Sequence, residues 1–195
     1  MDKVIAVFGG TFNPIHNGHV EMAKEVLRLD VVEKLIVMPT YKPPHKEAAM
    51  LACGEDRLEM CKIAFEGVEG IEFSDLELSR EGLSYTYDTL CELNKKLNTR
   101  VALVCGGDMI TTFNRWYRFR DILAFADLIA FRRKGIDNAE FDEAVENLRA
   151  EGGNVTVIDS SIPEISSSEV RNGKWDFIPN SVFDYIKEKG LYGVK

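Results

Sequence analysis

No hydrophobic run in the chain approaches the length of a membrane span, and the short apolar run ending at Phe8 has neither a basic leader nor a small-residue cleavage site. Neither a membrane-embedded nor an exported protein is expected. Cysteine is sparse: Cys53, Cys61, Cys91 and Cys105 form no C-x-x-C pair and no Cys/His set of zinc spacing. Reduced thiols in or beside apolar segments of a cytoplasmic protein fit better than a disulfide scaffold. Histidine is scarcer still, with only His16, His19 and His45, and no visible Asp/Glu cluster completes a protein-borne metal site, so none is expected. Basic charge is in deficit: 24 Lys and Arg face 32 Asp and Glu, a net charge of -8 that repels nucleic acid and anionic lipid. With no basic stripe to offset it, no nucleic-acid or membrane partner is expected, and an anionic ligand needs a local device. Linkers, repeats and low-complexity tracts are missing too. The 195 residues, 45% of them hydrophobic, suit a single core, so one domain spanning 1–195 is expected.

What is present is alternation. Strand-like runs at Val4–Phe8, Lys34–Pro39, Ile71–Leu78, Arg100–Cys105, Leu128–Arg132 and Asn154–Ile158 are separated by helical segments. Their inward residues are spaced as Val20, Ala23, Leu27; Leu58, Cys61, Phe65; and Leu90, Leu93, Leu97, with a further helix around Phe141–Arg149. This pattern predicts an α/β fold with a parallel sheet of five to six strands covered by helices on both faces. The pattern falters near Asp108–Phe125 and Ile162–Pro179, and Thr40–Glu55 is the one long irregular stretch; these are places to look for function.

The segment Gly9-Gly10-Thr11-Phe12-Asn13-Pro14-Ile15-His16-Asn17-Gly18-His19 leaves the first strand and enters the first helix, at the ligand-binding edge of an open α/β sheet. Two glycines permit unusual dihedrals and a close approach of main-chain N–H groups to a ligand, and His16 and His19 can converge at a helix start that favours anions. A tight turn would need the same glycines, and two histidines could also be metal ligands. Neither G-x-G-x-x-G nor the Walker lysine motif occurs.

This segment matches the G-G-[ST]-F-[DN]-P-x-H-x-G-H signature of the nucleotidyltransferase superfamily. It is followed in order by Ser84-Tyr85-Thr86-Tyr87-Asp88-Thr89-Leu90, Gly106-Gly107-Asp108, Phe113 with Trp116, a turn containing Arg133, and Ile165-Ser166-Ser167-Ser168-Glu169-Val170-Arg171. Over essentially its whole length the chain resembles the bacterial nicotinate-nucleotide adenylyltransferases. The resemblance implies a Rossmann-like fold with strand order 3-2-1-4-5, and transfer of AMP from ATP to nicotinate mononucleotide, yielding nicotinate adenine dinucleotide and pyrophosphate in NAD biosynthesis. It implies His16, His19 and Arg171 as catalytic residues. ATP would be held by Gly9, Gly10, Thr11, Phe12, Gly106, Asp108, Arg133, Ser166, Ser167 and Ser168, with Mg²⁺ carried mainly by its phosphates and water. The acceptor would meet Thr40, His45, Lys46, Tyr85, Thr86 and Trp116. A tryptophan face stacks on a pyridine ring, and the N–H groups at the start of a Thr86–Leu97 helix attract a carboxylate. Local readings compete: Ser166–Ser168 as a plain N-cap, Asp108 as the cap of Met109–Phe113, Trp116 as core. Rival functions are the same chemistry on another phosphate acceptor, such as nicotinamide mononucleotide, and a non-catalytic nucleotide-binding domain. The sequence leaves a homo-oligomer open. It departs from many relatives after Arg171, where Asn172-Gly173 leads quickly to Pro179.

Overall fold

The computed structural model describes residues 3–41, 51–80, 84–97, 99–132, 138–162 and 165–194. Six parallel strands form one sheet in the order β3-β2-β1-β4-β5-β6: β1 Val4–Gly10, β2 Val32–Pro39, β3 Ile71–Phe73, β4 Val101–Gly106, β5 Ala126–Arg132 and β6 Val155–Asp159. The helices are α1 Asn17–Leu27, α2 Gly54–Ala64, α3 Thr86–Leu97, α4 Gly107–Thr112, α5 Phe119–Phe125, α6 Asn138–Ala150, α7 Ser167–Arg171 and α8 Asn180–Lys189. The α/β prediction and the strand order hold, with β6 extending the sheet on the β5 side.

Period-two alternation along the strands divides the interior in two. Ala6 and Phe8 of β1 face a cluster with Ala23 and Val26 of α1, Met60 and Cys61 of α2, and Val182 and Ile186 of α8. Ile5 and Val7 face the other cluster, with Leu90 and Leu93 of α3, Ile122 of α5, and Phe141 and Val145 of α6. Two expectations need correcting. The run expected as a strand over Ile71–Leu78 pairs with β2 only at Ile71–Phe73, because the chain turns at 76–79 with Ser79 N–H bonded to the Asp75 carbonyl. Cys53 is not in the core: it is exposed at the N-cap of α2, where its sulfur accepts from the Asp56 N–H. Cys61 and Cys105 are buried, which pushes both thiols up. Among the described residues no helix is long and apolar enough to cross a membrane.

The register opens the site. β1 stays paired with β2 up to Gly10 opposite Pro39, and β4 with β5 up to Gly106 opposite Phe131. Between β1 and β4 the last pair is Val7 with Leu103. The two central strands thus separate over their last three residues, at the point where connections change direction along the sheet. That is where an open α/β sheet presents a crevice.

Candidate active site

The turn after β1 forms one wall. Neither Gly9 nor Gly10 adopts a left-handed conformation; the residue that does is Phe12, at φ 47°. The glycines serve by size. A Cβ on Gly10 would lie 2.9 Å from Cζ of Phe12, whose ring is buried, whereas a Cβ on Gly9 would meet nothing within 4 Å. Gly9 therefore leaves open space at the crevice, and Gly10 makes room for Phe12.

The carbonyls of this turn are gripped by donors from elsewhere in the chain. Arg57 Nη1 donates to Thr11 O at 2.7 Å, Ser167 Oγ to Pro14 O at 2.8 Å, and Arg171 Nη1 to Asn13 O. Asn13 Oδ1 accepts from both the Ala52 N–H at 3.1 Å and the Tyr192 hydroxyl at 2.7 Å. In a trans peptide the N–H points opposite to the carbonyl, so holding Thr11 O fixes the direction of the Phe12 N–H and holding Pro14 O fixes that of the Ile15 N–H. A turn whose carbonyls are anchored presents its positive edge to an anion.

His16 caps α1 and is buried; His19, half-buried, stacks on it with ring centroids 3.6 Å apart. His19 Nδ1 accepts the His16 N–H at 3.2 Å, which leaves Nε2 to carry the proton of the neutral ring and act as donor. Gly18 is required beside them, since a Cβ there would press on the His16 ring at 3.1 Å.

The segment Ile165–Arg171 packs against this same turn. Ser166 and Glu169 form a capping box: the Ser166 N–H donates to Glu169 Oε2 at 3.0 Å, and Ser166 Oγ accepts from the Glu169 N–H at 3.2 Å. Lys174 and the Ser166 donors hold the Glu169 carboxyl down at about 2. The Ser166 and Ser167 hydroxyls are thus engaged in building the turn, and Ser168 Oγ accepts from Arg171 Nη2 at 3.2 Å. After Arg171, Gly173 turns the chain at φ 110° and Pro179 caps α8, so a short connection suffices where a longer excursion was expected.

At the end of β4, Gly106 is the N-cap of α4 and Asp108 lies exposed in its first turn, so Asp108 is not the cap. α3 begins at Thr86, as expected. Beside it Tyr85 packs against the exposed Tyr117 at 5.0 Å, and the partly exposed Trp116 stacks on buried Phe113 at 4.7 Å. Thr40 follows β2, its N–H bonded to Gly10 O at 2.8 Å. The expected His45, Lys46 and Arg133 lie outside the described residues.

Five residues here were not singled out from the sequence. Asn13 and Tyr192 meet across 179 positions. Tyr117 extends the aromatic wall. Arg57 lies on the same helical stripe as Cys61, and an arginine on an apolar stripe is the signal that could have revealed it. Glu77, buried behind Thr40 and Ser84, accepts from Thr89 Oγ1 at 2.8 Å; burial raises its pKa, and the Thr89, Thr40 and Ser84 hydroxyls pull the other way. Among the described residues no three His, Cys, Asp or Glu side chains form a metal-binding group.

A split parallel sheet with an anchored glycine turn and paired histidines at its mouth defines a nucleotide-handling α/β protein. The Cytidylyltransferase-like family model matches residues 7–173. A protein of Listeria monocytogenes named "Probable nicotinate-nucleotide adenylyltransferase" is 32% identical over the full length of both chains, and one of the same name from Thermotoga petrophila 35% identical over 94% of each. The nicotinic acid mononucleotide adenylyltransferase of Plasmodium falciparum, solved with NaAD, shares the fold at TM-score 0.82 and 22% identity, covering 99% of this chain and 98% of its own. The chain belongs to the cytidylyltransferase-like family and, within it, to the nicotinate-nucleotide adenylyltransferases.

Proposed function

We propose that this chain joins ATP and nicotinate mononucleotide to give nicotinate adenine dinucleotide and pyrophosphate. The observation that carries the reading is the convergence, in a chain of this family, of the His16–His19 turn and the Ser166–Arg171 segment on the loop at the mouth of the β1/β4 split. The acceptor phosphate is ionised at neutral pH, so its oxygen attacks the α-phosphorus directly and the bond to pyrophosphate breaks, with no protein nucleophile and no strong base. What the chain supplies is alignment and positive potential.

The Phe12 and Ile15 N–H groups and the start of α1 face the phosphates, His19 Nε2 donates to an oxygen that gains charge, and Arg171 completes the wall. Mg²⁺ bound to the triphosphate would supply neutralisation of the charge on the pyrophosphate; among the described residues no group of three His, Cys, Asp or Glu side chains would hold it independently of the nucleotide. The pyridine ring lies on Trp116, with its carboxylate at the start of α3, where an amide would forfeit the attraction of the helix terminus. Free thiols at Cys53, Cys61, Cys91 and Cys105 support a cytoplasmic setting.

The test is incubation of the purified protein with ATP and Mg²⁺ plus nicotinate or nicotinamide mononucleotide, with release of pyrophosphate measured and the product identified. Nicotinate adenine dinucleotide is the expected product. Turnover with the amide alone would overturn the reading.

A further inference from the structure

Resting on that reading, we propose that Arg57 is a positioning residue that ties the ATP-binding turn to the acceptor-binding turn. Its side chain is only 1% exposed. Among the described residues its side chain makes four hydrogen bonds, each to a main-chain carbonyl: Nη1 to Thr11 at 2.7 Å and to Thr40 at 2.8 Å, Nε to Ala52 at 3.1 Å, and Nη2 to Tyr41 at 3.4 Å. β1 and β2 stay paired through Gly10 and Pro39, and one further bond runs from the Thr40 N–H to Gly10 O. Beyond that rung the strands have become turns, and the single nitrogen Nη1 takes the next carbonyl from each. The guanidinium extends the ladder past the end of the sheet, between the turn aimed at ATP and the turn expected to border the acceptor phosphate.

Chemistry explains why arginine stands here. A planar fork spreads five donors over three nitrogens and so reaches four carbonyls on three segments, whereas lysine has three donors on a single nitrogen. Burial disfavours the cation and lowers its pKa, and all four acceptors are neutral. An apolar residue filling the same space would leave the carbonyls of Thr11, Thr40, Tyr41 and Ala52 without this donor. The retained cation is explained by what it organises: it fixes the orientation of two peptide planes facing two anionic substrates, and it adds positive charge behind them in a chain of net charge -8.

The experiment compares Arg57→Lys and Arg57→Met with the wild type, measuring KM for ATP and for nicotinate mononucleotide separately, together with melting temperature. Both KM values are expected to rise by about tenfold in each variant, the scale of one lost charge-assisted hydrogen bond. Partial unfolding lowers apparent kcat and leaves KM unchanged, so the KM pair separates positioning from mere stability. A rise in only one KM, or both within twofold of wild type, would overturn the proposal. A readout on the wild type alone is hydrogen exchange with α,β-methylene-ATP and no acceptor. Slowed exchange at Thr40–Tyr41 as well as in the 10–15 turn is expected; protection confined to the turn would overturn the coupling. If the wild type makes no nicotinate adenine dinucleotide, the functional reading fails, and the exchange measurement still decides the role of Arg57.

Discussion

The Ser167 hydroxyl donates to the main-chain carbonyl of Pro14 at 2.8 Å, joining two motifs 153 residues apart. With Arg171 on Asn13 O, this clasp makes the C-terminal motif a structural part of the N-terminal turn. Ser167→Ala should lower the melting temperature by about 2–4 °C, the equivalent of one ordinary hydrogen bond of about 1 kcal/mol. It should also raise the KM for ATP by loosening the Ile15 peptide. Unchanged ATP kinetics would show that the turn holds its shape without the clasp.

The glycine pair gives contrasting outcomes. Gly9→Ala puts a methyl into open space and should leave the melting temperature within about 1 °C while raising the KM for ATP. Gly10→Ala forces the methyl against the Phe12 ring, 2.9 Å away, and should cost about 1–3 kcal/mol of stability. Thermal melts and ATP titration of both variants check this, and equal melting temperatures would contradict it.

The proposed role of His19 falls to Nε2, since Nδ1 is engaged by the His16 N–H. His19→Asn keeps an acceptor near the Nδ1 position and should cut kcat by about a hundredfold. His19→Gln can place a donor near Nε2 and should retain more activity. The reverse ranking in steady-state kinetics would assign the working nitrogen to Nδ1.

Trp116 has one face on Phe113 and is partly exposed. Trp116→Ala should raise the KM for the mononucleotide well above any change for ATP. Parallel rises would place the indole elsewhere than against the pyridine ring.

Glu77 carries a pH signature. Burial raises its pKa above the ordinary 4.5, so as pH rises the unfolded chain ionises first and the folded state loses relative stability. The cost is absent below about 4.5, grows as pH rises toward the folded value and is complete above it. Glu77→Gln keeps an acceptor for Thr89, so its melting temperature should gain on the wild type between about pH 4.5 and 7. A difference that stays flat across that range would show that the carboxyl titrates as in the unfolded chain.

The sequence by itself determined the alternation of elements, the strand–turn–helix at Gly9–His19, the start of α3 at Thr86 and the assignment to a family, because these are local: periodicity, turn chemistry and short motifs are written in neighbouring residues. Ile71–Leu78 escaped that reading, since the chain leaves the sheet for the turn at 76–79 although β2 runs on to Pro39. Only the tertiary structure decided that Phe12 rather than a glycine takes the left-handed conformation, that Arg57 bridges Thr11 and Thr40, and that Asn13 receives Tyr192 from 179 residues away. It also decided where the crevice opens, because β1 and β4 part after Val7 and Leu103. Hydrogen bonds from side chains to distant main-chain carbonyls leave no periodic trace in a sequence, since any residue offers the same carbonyl and only the packed chain selects which one is reached.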